Sequence, residues 1–187
     1  MSFEFKPLSD LPEIILIEPK RVSDDRGWFS ETYRKTEYAK HGIPFEFCQD
    51  NHSQSTTRGV LRGLHFQKEP ASQGKLVRCL VGETFDAVVD IRKGSPTYRK
   101  WVSTNLSAEN RYILWIPPGF AHGILTLTSI TEIAYKVTSE YSPVHERSIR
   151  WNDPAIGINW PIANPILSKR DANAPLLDDS DNNFTWQ

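Results

Sequence analysis

The residues best suited to chemistry lie between Gln49 and Lys75, where QDNHSQSTTRGVLRGLHFQKEPASQGK mixes histidine, arginine, lysine and amide side chains with β-forming residues. Taken as an extended segment, Gly59 to Gln67 alternates its side chains between two faces. Leu61, Gly63, His65 and Gln67 then share one face, and Val60, Arg62, Leu64 and Phe66 share the other. A regular strand would set Arg62 opposite His65. Glycine inside a strand often marks a bulge, so Gly63 gives the two a way to converge. His65 alone reads as a core histidine and Arg62 alone as a solvated charge. Together with Lys75 they read as a strand that carries a base into a concave site.

The elements that must position this strand are short and mostly β. Glu13 to Val22 reads as a first or edge strand ending near Pro19, and Thr36 to His41 as a short helix stopped by Gly42 and Pro44. Lys75 to Val81 and Phe85 to Arg92 read as two strands of a hairpin turning at Gly82 and Glu83. In the second of these, Phe85, Ala87, Val89 and Ile91 alternate with Asp86, Val88, Asp90 and Arg92, which puts one face toward a core. Trp101 to Leu106 and Tyr112 to Ile116 are further strands, and Ile124 to Thr128 with Glu132 to Thr138 make another β pair. Short strands broken by Gly, Pro and Asn predict an all-β sandwich or closed barrel with only short peripheral helices. From Tyr141 the chain turns to Pro, Asn, Asp and Trp. We read it as an irregular wrap that buries Trp151, Ile156, Ile158 and Trp160 and ends in an acidic segment, LDDSDNNFTWQ, free to fray. No linker or repeat divides the chain, so residues 1–187 form a single domain in this reading.

Composition limits the partners. A formal net charge of -1 over 187 residues gives no reason to expect nucleic acid or an anionic membrane, so an anionic ligand must be met by locally placed Arg and Lys. Neither Cys48 nor Cys79 belongs to a CxxC pair. The two read as reduced thiols of a cytoplasmic protein, packed as small apolar residues. The N-terminus has no apolar h-region, and nowhere does an apolar run approach the roughly 18 residues of a membrane helix.

Of the five histidines, His122 falls in PxGxxH with Pro117 and Gly119, which in a small barrel invites a cupin reading. A metal cupin needs three or four convergent ligands, including an HxH pair on an earlier strand. That place here reads His65-Phe66-Gln67, and Gln67 is a poor ligand. The expectation is a cupin-type barrel without a metal.

The segments DDRGWFSE, QDNHSQS, LRGLHFQ, QGKLVR, DIRKGSPTY, IPPGFAHG, YKVTSEY, WNDPAIGINWP and LSKRD occur in this order along almost the whole chain. In this the sequence resembles the dTDP-4-dehydrorhamnose 3,5-epimerase family. The resemblance implies a cupin-like jelly roll, usually a homodimer, that acts on a dTDP-linked 4-keto-6-deoxyhexose and uses no cofactor. Carried over by position, His65 is the base with Asp171 as its orienting carboxylate, Tyr135 is the acid on the opposite sugar face, and Lys75 steadies the enolate. Arg26, Glu31, Gln49, Asn51, Arg62, His122, Glu146 and Arg170 hold the nucleotide and sugar, and Phe29, Trp28 and Tyr141 are candidates to stack on the base. The segment from Arg26 to Glu31 completes the neighbouring subunit's site. Two positions depart from the family pattern: Ile124 stands where phenylalanine is usual, and Arg170 where lysine is.

The chemistry asks for these residue types in its own right. A C–H beside a ketone is acidic because the charge moves onto oxygen. A base, a cation for that oxygen and an acid behind the ring are therefore all required. Imidazole, with an ordinary pKa of about 6.5, can take the proton, and a phenol near 10 can return one from the other side. The reading is epimerisation at C3 and C5, with inversion of a single carbon as the alternative that Ile124 leaves open. A metal-dependent cupin isomerase or dioxygenase lacks its HxH pair, and a binding module alone has no need of a base facing an acid.

Overall fold

The computed structural model describes residues 2–186, so Met1 and the final Gln187 of the acidic segment lie outside the described residues. The chain opens with strands β1 (Phe3–Leu8) and β2 (Leu11–Pro19), a ribbon of β3 (Arg21–Asp24) and β4 (Gly27–Ser30), and helix α1 (Lys35–Lys40). Then follow β5 (Gln49–Ser55), β6 (Leu61–Gln67), β7 (Lys75–Val81), β8 (Glu83–Asp90), β9 (Trp101–Ser107), β10 (Ile113–Ile116), β11 (Phe120–Thr126) and β12 (Thr131–Val137). The C-terminal part adds β13 (Glu146–Ser148) and a one-turn helix α2 (Lys169–Ala172). A six-stranded sheet in the order β1-β2-β10-β7-β12-β5 faces a five-stranded sheet in the order β13-β6-β11-β8-β9, which is the expected all-β jelly roll. No helix among the described residues is long and apolar enough to cross a membrane.

Three apolar layers hold these sheets. Val77, Val88, Leu106, Leu114 and Ile133 pack between them. Leu64, Phe66, Val89, Ile91 and Ile156 pack outside the five-stranded sheet, beneath the C-terminal wrap, with Ile158 and Trp160 against them. Ile17, Tyr38, Leu76 and Trp115 fill the space between the six-stranded sheet and α1. Strand β8 is therefore buried on both faces: Val88 points into the barrel while Val89 and Ile91 point under the wrap. Alternation alone predicts a one-sided core for this strand.

The strands sit close to where alternation places them, but their pairings differ. β7 and β8 do not form a hairpin, and neither do β11 and β12; in each case the chain leaves one sheet for the other. Gly82 makes the first crossing with φ +75°, and a Cβ there would lie 2.2 Å from Ile130 O and from Thr128 Oγ1, so the two crossings are packed on each other. β2 is neither first nor an edge, because β1 precedes it and β10 flanks it. The acidic tail does not fray: Phe184 and Asn182 are buried, Asn182 Nδ2 donates to Ile91 O, and Trp186 stacks on Arg92. Of the thiols, Cys79 is buried as expected while Cys48 is exposed.

Strand β6 is irregular where it matters. His122 on β11 pairs with His65, but Ile124 pairs with Arg62, so three steps along β6 oppose two along β11. This bulge cancels the alternation and turns Arg62 and His65 toward the same cavity. Gly63, with φ +134°, lets the strands close: a Cβ would stand 2.6 Å from Gly123 Cα and 2.7 Å from His122 O. Gly63→Ala should therefore lower stability by more than about 1 kcal/mol, the scale of a side chain forced into a glycine-only conformation. A shifted urea midpoint at unchanged m-value is the measurement, and an unchanged midpoint would refute the packing argument.

Candidate active site

The barrel opens into a cavity of about 470 Å³ whose polar lining includes Arg62, His65, Lys75, His122, Tyr135, Arg170 and Asp171. A smaller chamber of about 130 Å³ is lined by Gln49, Asn51, Tyr141 and Glu146 and shares His65, Lys75 and Tyr135 with the first. These three side chains form the neck between the chambers. β6 supplies His65, β7 supplies Lys75 and β12 supplies Tyr135, so both sheets contribute.

His65 Nε2 lies 2.6 Å from Asp171 Oδ1. Ser168 caps α2 by accepting from Asp171 N, and its hydroxyl donates to Asp171 Oδ2 at 2.9 Å, so the carboxylate is held on both oxygens. Burial would raise the Asp171 carboxyl, but hydrogen bonds from His65 and Ser168 and the nearby charges hold it below the usual carboxylate value. A carboxylate accepts, which makes Nε2 the protonated nitrogen of neutral His65 and leaves Nδ1 as the site of proton uptake.

Lys75 Nζ has no hydrogen bond or ion pair to the described residues. Burial pulls its pKa down to about 8, against the charge of Glu146. Burial and then Glu146 raise the Tyr135 phenol, with Arg62 opposing, so it stays protonated at neutral pH. At the rim Glu146 accepts from Arg170 Nη1 at 2.5 Å and from the Tyr141 hydroxyl at 2.8 Å, while Arg170 Nε donates to Ser148. Gln49 accepts from Tyr141 N and donates to Asn51.

Not every predicted residue gathers here. Arg26, Phe29 and Glu31 lie outside the lining of both chambers. Arg26 pairs with Asp24 and is 90% exposed, Glu31 pairs with Arg34, and Phe29 is 72% exposed beside an exposed Trp28 on the β3-β4 ribbon. Gln67 is committed to structure, since its amide donates to Ala71 O and Glu140 O and accepts from Ser142 N. Among the described residues no group of three or more His, Cys, Asp or Glu is placed to hold a metal. Sequence reasoning missed Ser168 and Asp86. The first was legible as a helix cap three residues before Asp171; the second was only one polar member of an alternating strand.

The jelly roll and its polar interior define a cupin-like protein. A family model described as dTDP-4-dehydrorhamnose 3,5-epimerase matches residues 9–179. The dTDP-4-dehydrorhamnose 3,5-epimerase of Salmonella typhimurium is 55% identical over 170 residues, spanning 90% of this chain and 92% of its own. That of Shigella flexneri is 52% identical over 174 residues, spanning 92% and 96%. The dTDP-6-deoxy-D-glucose-3,5-epimerase of Legionella pneumophila, solved in complex with dTDP-4-keto-L-rhamnose, superposes with a TM-score of 0.90 at 46% identity over 94% of this chain and 93% of that one. This chain belongs to the dTDP-4-dehydrorhamnose 3,5-epimerase family.

The depressed Lys75 pKa has a direct consequence. Below about pH 8 the side chain is an ammonium and above it a neutral amine, so any step needing a cation at the neck should weaken as pH rises through 8. A ¹³C-NMR titration of Lys75 should show a midpoint near 8. A midpoint at the ordinary lysine value would mean that the neck is wetter than its burial implies.

Proposed function

We propose that this protein is an isomerase that inverts C3 and C5 of dTDP-4-keto-6-deoxyglucose to give dTDP-4-keto-rhamnose. The observation that carries this reading is the neck, where a carboxylate-oriented imidazole meets an unpaired ammonium and a half-buried phenol. His65 removes the proton beside the ketone at Nδ1, and Asp171 stabilises the imidazolium through Nε2. Lys75 offsets the charge that moves onto the ketone oxygen. Tyr135 returns a proton to the opposite face of the ring. The cycle is redox-neutral, and base, acid and cation all come from the chain, so no cofactor takes part. In the complex of the Legionella protein the bound molecule is the product of such a double inversion.

The nucleotide lies along the rim in this proposal. Arg62 and Arg170 meet the diphosphate, where a guanidinium fork suits its oxygens and keeps the cation that lysine usually supplies. Gln49, Asn51, His122 and Glu146 contact the sugar and nucleoside, and Tyr141 or Phe29 stacks on the base. The exposed β3-β4 ribbon favours a homodimer in which Arg26, Phe29 and Glu31 complete the partner's site. The chain acts as one domain in the cytoplasm. Ile124 lines the larger chamber, and whether both carbons are inverted is read by the same experiment that tests the mechanism.

That experiment follows deuterium from heavy water into recovered sugar alongside epimer formation. Wild type should label C3 and C5. His65→Asn should lose exchange and inversion together by at least about 100-fold, the low end for general-base catalysis. Tyr135→Phe should keep washout while the yield of inverted sugar falls far more steeply, because the imidazolium returns the proton to the face it came from. Near-wild-type exchange in His65→Asn would sink the assignment. Subunit sharing has its own test: mixing inactive His65→Asn with inactive Arg26→Ala should restore activity through hybrid dimers with one intact site. No recovery after subunit exchange would mean that Arg26 serves its own subunit's site and is not shared with the partner.

A further inference from the structure

Two carboxylate–imidazole pairs stand side by side in the barrel, and the mechanism above explains only one. His122 is the direct cross-strand partner of His65, a placement that sets Cβ atoms about 5 Å apart. Its Nε2 lies 2.5 Å from Asp86 Oδ1, and the Asp86 side chain is 0% exposed. The other Asp86 oxygen has only Thr84 Oγ1 at 3.5 Å, too far for a strong hydrogen bond, so the imidazole is the main partner of this carboxylate. A sealed carboxylate is a costly way to fill a barrel floor that apolar side chains could fill. What it does is orient the ring.

A carboxylate accepts only, so Nε2 carries the proton and Nδ1 of a neutral ring is left as a bare acceptor. Burial, more than Asp86 restores, together with Lys75 and His65, keeps the ring below the ordinary imidazole pKa and therefore neutral. Nδ1 has no hydrogen-bonding partner among the described residues. Nor is it sealed, because the one buried side-chain nitrogen or oxygen without a partner among them is Arg99 Nε. It opens into the cavity that His122 lines together with Lys75. Lys75 Nζ only donates. A donor and an acceptor in one cavity wall are complementary to a carbonyl oxygen and the hydroxyl on the next carbon.

We propose that Asp86 is a positioning residue that fixes His122 with Nδ1 bare, and that this nitrogen accepts from the sugar hydroxyl at C3, so that the site selects α-hydroxy ketones over their deoxy analogues. The proposal rests on the epimerase reading, in which Lys75 takes the ketone oxygen. Asp86 acts through His122 and touches no substrate. Replacing it by Asn keeps the shape but offers an N–H to Nε2, which lets the ring proton move to Nδ1 and turns the acceptor into a donor.

The test has one readout without substrate and one with it. Histidine ¹⁵N NMR of the free protein should show His122 neutral with the proton on Nε2 in wild type, and shifted toward the Nδ1–H form in Asp86→Asn. Deuterium exchange at C5 is then compared between the natural dTDP-4-keto sugar and its 3-deoxy analogue. Wild type should handle the analogue about tenfold more slowly, the scale of one hydrogen bond left unmade, and Asp86→Asn should reduce that preference to below about twofold. An unshifted His122 tautomer in Asp86→Asn, or an equal preference in both proteins, would overturn the proposal. If Asp86→Asn does not fold, His122→Ala is read instead and must also lose the preference; retaining it would overturn the proposal as well. Failure of wild type to exchange any sugar hydrogen would refute the epimerase reading, and the substrate-free NMR result would still decide whether Asp86 sets the tautomer.

Discussion

The hydrogen bond between His65 and Asp171 joins residues 106 positions apart and ties the barrel wall to its C-terminal cover. An imidazole at the neck of a closed barrel is free to rotate and choose either tautomer unless something holds it. Asp171 supplies that hold, and Asp171 is itself held by the Ser168 cap of α2. The cover is anchored in turn by main-chain bonds from Leu61 N to Ile166 O, from Ile166 N to Gly59 O, and from Arg150 N to Pro175 O. Removing the His65 side chain would leave the buried Asp171 carboxylate short of a donor at a cost of about 1–3 kcal/mol, so orientation of the imidazole and stability of the cover are a single property.

Around that bond the interior is arranged by charge. Both signs of charge line it: Arg62, Lys75, Arg170 and Asp171 face the larger chamber, Glu146 faces the smaller one and accepts from Arg170, and Asp86 bonds His122. Most of these groups have fixed partners. Lys75 does not, and burial lowers its proton affinity, with only the charge of Glu146 acting against it. A cation left without a partner in the resting site is one available to a charge that arises during the reaction, whereas Arg170 is already engaged by Glu146 and Ser148 and serves better as a static grip.

Much of this was legible in the sequence, though unevenly. Strand positions followed from alternation because period-two burial is a local property. Pairing did not, since β7 and β8 look like a hairpin until Gly82 is seen to turn against Ile130, a contact from a distant segment. Gly63 signalled a bulge, but only its register with β11 shows that the bulge puts Arg62 beside His65. The acidic tail looked free because composition reports solvation and not the apolar groove that receives Phe184. Within the site, His65, Arg62 and Lys75 stood out as types, while Tyr135 and Asp171 were placed through resemblance, since their distance along the chain hides that they converge. Asp86 carried no signal beyond its alternation.

The alternation of consecutive strands between the two sheets also governs how the molecule assembles. In the antiparallel ladders Thr131 meets Ser55, Tyr135 meets Asn51 and Leu114 meets Leu16, so most neighbours must be brought together across long stretches of chain. Topologies of this kind fold in milliseconds to seconds, because loop closure costs entropy before the distant contacts form. During synthesis, β6 leaves the ribosome long before the residue that orients its histidine. The nascent chain can build much of the barrel while His65 still lacks its carboxylate partner, and the pair closes only after α2 has emerged.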